Sequence, residues 1–139
     1  MKKNFTKPII PAVGVAGLRL GDAESLVLDQ LGKPKNSTST PAGTVRMEYD
    51  SITVWLNTAR QVKQIAISAG YQGQTVDGIA IGMPMSELKR LWGYDLAYDQ
   101  AGEFWEFLNR PGTLFAFEKD GEGVERISKI FIAPQTNIG

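Results

Sequence analysis

The chain has 139 residues, of which 42% are hydrophobic and 22% charged, an ordinary balance for one globular domain. Its 15 basic and 15 acidic residues cancel, which argues against nucleic acid as a partner. Cysteine and histidine are both absent, which excludes disulfides, thiolate chemistry, imidazole-based triads and His-ligated zinc. The start, Met1-Lys2-Lys3, is basic, but the apolar stretch Ile9–Ala16 is broken by Pro11 and Gly14 and is too short for a signal core. As written the chain reads as cytoplasmic, and as periplasmic or secreted if a native signal peptide has been removed. No segment reaches the length of a membrane span.

Leu18 and Leu20 form a short extended lead-in, and Gly21 breaks it. Asp22 is the expected N-cap of a helix from Ala23 to about Leu31, with Val27 and Leu31 on one face, Gly32 past its end and Pro34 preventing continuation. Lys33–Thr44, rich in Ser, Thr and Pro, reads as a mobile loop. Val45–Tyr49, Ile52–Leu56 and Val62–Ile67 then read as strands joined by short turns, hence antiparallel. Residues 68–75 read as a linker.

After the linker the order returns. Ile79 and Ile81 form the lead-in, Gly82 the break, and Pro84 suits the first helical position. Leu88, Leu91 and Trp92 make the apolar stripe and Gly93 ends the helix. Phe104–Leu108, Thr113–Glu118 and Ile127–Ile132 follow as strands. The two passages keep a constant offset: Gly17 with Gly78, Gly21 with Gly82, Val27 with Leu88, Leu31 with Trp92, Gly32 with Gly93. An internal repeat of this length speaks to architecture. The expectation is an α+β fold, a single domain over 1–139 made of two repeats, about 14–67 and 76–133. Each is a helix plus a three-strand antiparallel meander, and together they form one sheet with the helices on one face.

The paired Gly-Leu-Arg-Leu-Gly and Gly-Ile-Ala-Ile-Gly-Met segments, each followed by a helix ending in Leu-Gly or Trp-Gly and a meander, resemble the tandem-repeat fold of the β-lactamase inhibitor protein. They are also similar to single-repeat outer-membrane assembly lipoproteins and to small bacterial immunity-type proteins. The resemblance covers about residues 14–133. It implies a protein that binds other proteins and carries no catalytic centre. The inhibitors are disulfide-bonded and the lipoproteins need a lipobox cysteine; this chain has neither, which favours an immunity-type role.

Strand alternation assigns side chains to faces. Ile52, Val54 and Leu56, with Val45, Met47, Phe115, Phe117, Trp105 and Phe107, are expected toward the helices. The open face then carries Trp55, Phe104 and Phe131 among Arg46, Glu48, Glu106 and Lys129, aromatic anchors in a charged surround. The plainer alternative is that these rings only cap the core. Tyr94-Asp95 and Tyr98-Asp99, four apart, would share one face if helical and form an acidic binding knob; otherwise they are turn residues. Asp120-Gly121-Glu122-Gly123 with Glu125 lacks the alternating ligands of a calcium loop and reads as a hairpin turn. Glu103 with Glu106, or Glu118 with Asp120, shows no spacing that fixes a glycosidase pair.

The expected function is therefore a non-enzymatic protein-binding module, an immunity-type inhibitor that blocks a toxin or enzyme sterically. No catalytic residue, metal ligand or cofactor is assigned. The alternatives are an envelope assembly or scaffold protein, and a carboxylate-based enzyme or small-ligand binder using the cleft between the repeats.

Overall fold

The computed structural model describes residues 5–99 and 103–134. Their elements in chain order are β1 (Gly14–Val15), β2 (Leu18–Arg19), α1 (Glu24–Leu31), β3 (Asn36–Ser39), β4 (Val45–Tyr49), β5 (Ile52–Leu56), β6 (Val62–Ser68), α2 (Met85–Trp92), β7 (Leu96–Asp99), β8 (Phe104–Phe107), β9 (Thr113–Lys119) and β10 (Glu125–Ile132). β1 and β2 form a small two-stranded sheet. The other eight strands form one antiparallel sheet in the order β3-β4-β5-β6-β10-β9-β8-β7.

This corrects the expected fold class. The protein is sheet-dominated, with only two helices of eight residues each among the described residues, rather than two tandem helix-plus-three-strand meanders. The strands missing from the expectation are the sheet edges. β3 lies inside the supposed mobile loop, and its side chains are all exposed, so Asn36-Ser37-Thr38-Ser39 shows no apolar alternation to betray it. Only the ladder with β4, from Asn36↔Glu48 to Ser39↔Val45, makes it a strand. β7 is likewise specified by pairing with β8, from Leu96↔Phe107 to Asp99↔Phe104.

The inner strands follow the pattern of their residues. In β5, Ile52, Val54 and Leu56 are buried while Thr53 and Trp55 between them are half-buried on the other face. Val45 and Met47 of β4 stand beside Leu56 and Val54. In β6 and β10 the residues buried on the helix side are Val62, Ile65, Ile67 and Ile127, Ile130, Ile132. Strict alternation cannot place residues three apart on one face. A bulge solves this in each strand, where the register shifts between Trp55 and Leu56 opposite β6 and between Ile127 and Lys129 within β10. β6 and β10 pair with each other from Lys129↔Ser68 to Ile132↔Ile65 and form the centre of the sheet.

Each helix covers this apolar face. α1 buries Val27 and packs Leu31 partly, leaving Leu26 and Leu28 exposed; α2 buries Leu88 and Trp92. Gly32 (φ 79°) and Gly93 (φ 99°) end the helices in a backbone region that disfavours side chains, and their N–H groups donate to Leu28 and Lys89 carbonyls. The expected caps are shifted. Ala23, not Asp22, holds the N-cap of α1, because the Asp22 carboxylate accepts from the Arg19 N–H at 2.7 Å. Pro84 is the N-cap of α2 rather than its first helical residue. The turns before the helices are bonded to the last strands: Gly21 N–H donates to Val62 O and Gly82 N–H to Ile127 O.

The segment read as a linker is packed rather than free. Tyr71 is 4% and Thr75 3% exposed. The N-terminal stretch lies along it, with the amides of Gln72 and Gly73 donating to Phe5 O and that of Ile9 to Gln74 O. The Tyr71 hydroxyl accepts from the Ala16 N–H at 3.0 Å and donates to Lys7 O at 2.5 Å. Burial pushes this phenol up to about 12, against the lowering effect of the Ala16 amide. Among the described residues no helix is long and apolar enough to cross a membrane.

Candidate functional site

On the sheet face turned away from the helices, the cross-strand register lines up Thr53, Ala66, Phe131, Leu114 and Glu106 in one row. Arg46, Trp55 and Gln64 form the adjacent row. Phe131 sits at the middle of this face because β10 is central. Its ring lies 4.4 Å from Phe104 and 6.4 Å from Trp55, centroid to centroid. The Arg46 guanidinium stands 5.7 Å from the Trp55 ring centroid, within reach of a cation–π interaction. Phe131 is 6% exposed and Ala66 7%, so the flanking rings already cover them. The accessible apolar surface belongs to Trp55 and Phe104, which are half-buried.

Two hollows meet on this face. A small one of about 130 Å³ runs past Arg46, Thr53, Trp55 and Ala66 to Lys129 and Phe131. A larger groove of about 720 Å³ begins at the same Lys129 and Phe131 and passes Phe104 toward Tyr98 and Trp105. Both are open hollows rather than enclosed cavities, and among the described residues no group of three or more acidic side chains is placed to hold a metal ion.

The structure gathers Arg46, Trp55, Phe104, Lys129 and Phe131 around these hollows. Glu48 stands beside them but is paired with Arg46 at 2.9 Å in an exposed bridge. Glu106 is structural, since its carboxylate accepts the Gly112 N–H at 2.8 Å and closes the β8–β9 turn. The helical knob is corrected. Gly93 ends α2 and the chain passes at once into β7, so Tyr94 and Asp95 precede a strand, with Tyr94 78% exposed and away from the hollows. Tyr98 belongs to β7 and lies against Trp105 at 5.0 Å on the helix side of the sheet. Phe117 lies on that same wall of the larger groove, and Glu103, Glu118 and Glu125 also line it. The sequence reads Glu103 and Glu118 as solvated charges and Glu125 as belonging to a hairpin turn, with no groove expected of any of them. Nothing in their spacing signals a shared groove, because they come from three different strands or turns.

The Asp120 carboxylate is occupied by the β9–β10 turn. It accepts the amides of Glu122 and Val124 and bonds the Arg126 guanidinium at 2.7 Å, and these contacts, Arg126 first, hold its carboxyl down to about 2. On the helix side, Asp77 accepts from Trp92 Nε1 at 2.8 Å and from the Thr75 hydroxyl. Burial pushes the Asp77 carboxyl up, but these bonds and the charge of Arg110 outweigh it and leave it below the ordinary carboxylate value. Arg110 also lies over the Trp92 ring, 4.3 Å from its centroid.

No protein-family model matches the chain, and no curated protein does. Solved structures match in fold. An extracellular protein containing an SCP domain from Bacillus anthracis str. Ames aligns with a TM-score of 0.51 and 9% identity, over 83% of this chain and 44% of that one. A cysteine-rich secretory protein from Staphylococcus aureus subsp. aureus Mu50 aligns with a TM-score of 0.56 and 11% identity, over 95% and 48%. The uncharacterized protein YfeY from Escherichia coli gives 0.56 and 14%, over 92% of this chain and 99% of that one. At these identities the likeness is one of fold alone. The chain spans about half the length of the first two proteins, 44% and 48%.

Proposed function

We propose that this protein is a non-enzymatic binding module that seats another protein on the open face of its sheet and blocks it sterically, as an immunity-type inhibitor does. The observation that carries this reading is the aromatic cluster of Trp55, Phe131 and Phe104, centred on the buried Phe131 of β10 and flanked by Arg46 and Lys129. Rings held rigid by their neighbours lose little freedom on binding, and charges around them select the partner. The test is a pull-down from the native host with the wild-type chain and a Trp55→Ala/Phe104→Ala variant, both checked for folding. A protein captured by the wild type and lost with the variant supports the reading; equal capture by both overturns it.

The descriptions of two structural neighbours, one extracellular and one secretory, favour a second reading in which the module works outside the cytoplasm as a scaffold beside another domain. Fractionation of the native host with an antibody to this chain separates the two: recovery in the cytosol alone sets the second aside.

A further inference from the structure

β8 pairs with β9 only at Trp105↔Phe115 and Glu106↔Leu114, while β10 follows β9 over its whole length from Thr113 to Lys119. Beyond Trp105 the first two strands therefore part, and the gap between them is the groove of about 720 Å³. Its walls are aromatic. On one side Trp105 stands 5.0 Å from Tyr98 and 6.2 Å from Phe117; on the other Phe104 lies 4.4 Å from Phe131. Three carboxylates line it, Glu103, Glu118 and Glu125, against the one ammonium of Lys129. None of these glutamates forms an ion pair among the described residues. Arg126, opposite Glu118 in the ladder, turns instead to Asp120 at 2.7 Å and to the Gly82 carbonyl at 3.0 Å.

We propose that this groove binds a basic segment of the partner protein, with a lysine or arginine side chain laid on the Tyr98 and Trp105 rings and its charge among Glu103, Glu118 and Glu125. Ring faces and carboxylates both attract a cation. An anionic or wholly apolar occupant would instead strip water from three unpaired carboxylates. The occupant is an extended segment rather than a lone small cation, because the groove continues past Lys129 and Phe131 into the hollow beside Trp55. This assignment rests on the protein-binding reading and adds the charge of the segment that is bound.

The probe is a random dodecapeptide library displayed on phage and panned at low salt on the full chain. The expected result is enrichment of peptides that set lysine or arginine next to aromatic or aliphatic residues. Binding of the best synthetic peptide should fall at least about tenfold with the E103Q/E118Q/E125Q variant and fall steeply as salt is raised to about 0.5 M. It should fall severalfold with Tyr98→Ala, a change at an exposed ring of an edge strand. The three glutamates make no ion pair to lose, so unchanged circular dichroism is expected of the triple variant. Peptides with no basic bias that ignore the glutamine changes but fail on Trp55→Ala overturn the groove assignment and leave the open-face reading standing. A library that yields no binder also overturns it, while the pull-down above decides the open-face reading independently.

Discussion

Phe131→Ala should unfold the protein more easily by about 3 kcal/mol, although Phe131 faces away from the helices. A phenylalanine ring buries roughly 150–250 Å², which at about 25 cal/mol per Å² gives about 4–6 kcal/mol as an upper bound. The unfolded chain already hides roughly 10–40% of such surface, which lowers the figure to about 2–5 kcal/mol. Phe131 is only 6% exposed, so nearly all of this applies. Trp55 and Phe104 stand at the solvent edge and can settle into the space, which favours the lower value and the low end of the range for Phe→Ala in cores. For a chain of this length the loss corresponds to about 10 °C in Tm. Phe131→Leu, which keeps most of the volume, should lose only about 1 kcal/mol. Urea unfolding followed by circular dichroism and by tryptophan fluorescence, together with calorimetry, measures both. A Phe131→Ala variant within about 1 kcal/mol of wild type would mean that the ring is not packed between Trp55 and Phe104, and the rigid aromatic cluster would lose its basis.

Three further outcomes follow from particular contacts. Tyr71→Phe removes the hydroxyl that joins Lys7 O to the Ala16 amide and should destabilise by about 2 kcal/mol. Because the folded-state Tyr71 phenol lies at about 12 and an unfolded one near 10, its contribution is full below pH 10 and is lost as pH rises through 12. The variant's alkaline unfolding should therefore be shallower, with Tyr49, also pushed up to about 12 chiefly by burial, accounting for what remains. Gly14→Ala would drive a Cβ into the Leu18 carbonyl oxygen across the β1–β2 ladder; the expected loss is on the order of 2–3 kcal/mol, and a melting curve identical to wild type would refute the close approach. Trp92→Phe and Asp77→Ala each remove one side of the indole–carboxylate bond and should show a coupling on the order of 1 kcal/mol in a double-mutant cycle. Since the Asp77 carboxyl is held below its usual 3.8, its contribution is present above that value and fades as pH falls further; Asp77→Asn should flatten the acid limb of the stability profile, and parallel limbs would contradict the contact.

Much of the sheet was legible because burial repeats with a short period. Ile52-Thr53-Val54-Trp55-Leu56 states its own faces, and Trp55 and Phe131 could be placed on the open side from alternation alone. The helix ends were legible too, in Leu31-Gly32 and Trp92-Gly93, since glycine tolerates the backbone needed there. Asn36–Ser39 and Leu96–Asp99 were not: the first is wholly polar and exposed, the second four residues with no apolar alternation, and each edge strand exists through its ladder. Misreading these two made a sheet-dominated protein look like helices with short meanders. At the site, Glu106 shows the same limit: its sequence context is that of a free strand carboxylate, yet it accepts the Gly112 amide.

By itself the sequence determined the composition of the chemistry: no thiol, no imidazole, balanced charge, and inner strands whose apolar residues alternate. Those are properties of residues and their nearest neighbours along the chain. The tertiary structure alone decided that β6 and β10 meet at the centre of the sheet, which sets Phe131 between Trp55 and Phe104 and nearly closes over it. It also decided that Glu103, Glu118 and Glu125 line one aromatic groove. Such meetings depend on strand order and on where a ladder stops, quantities fixed by packing between segments distant in sequence.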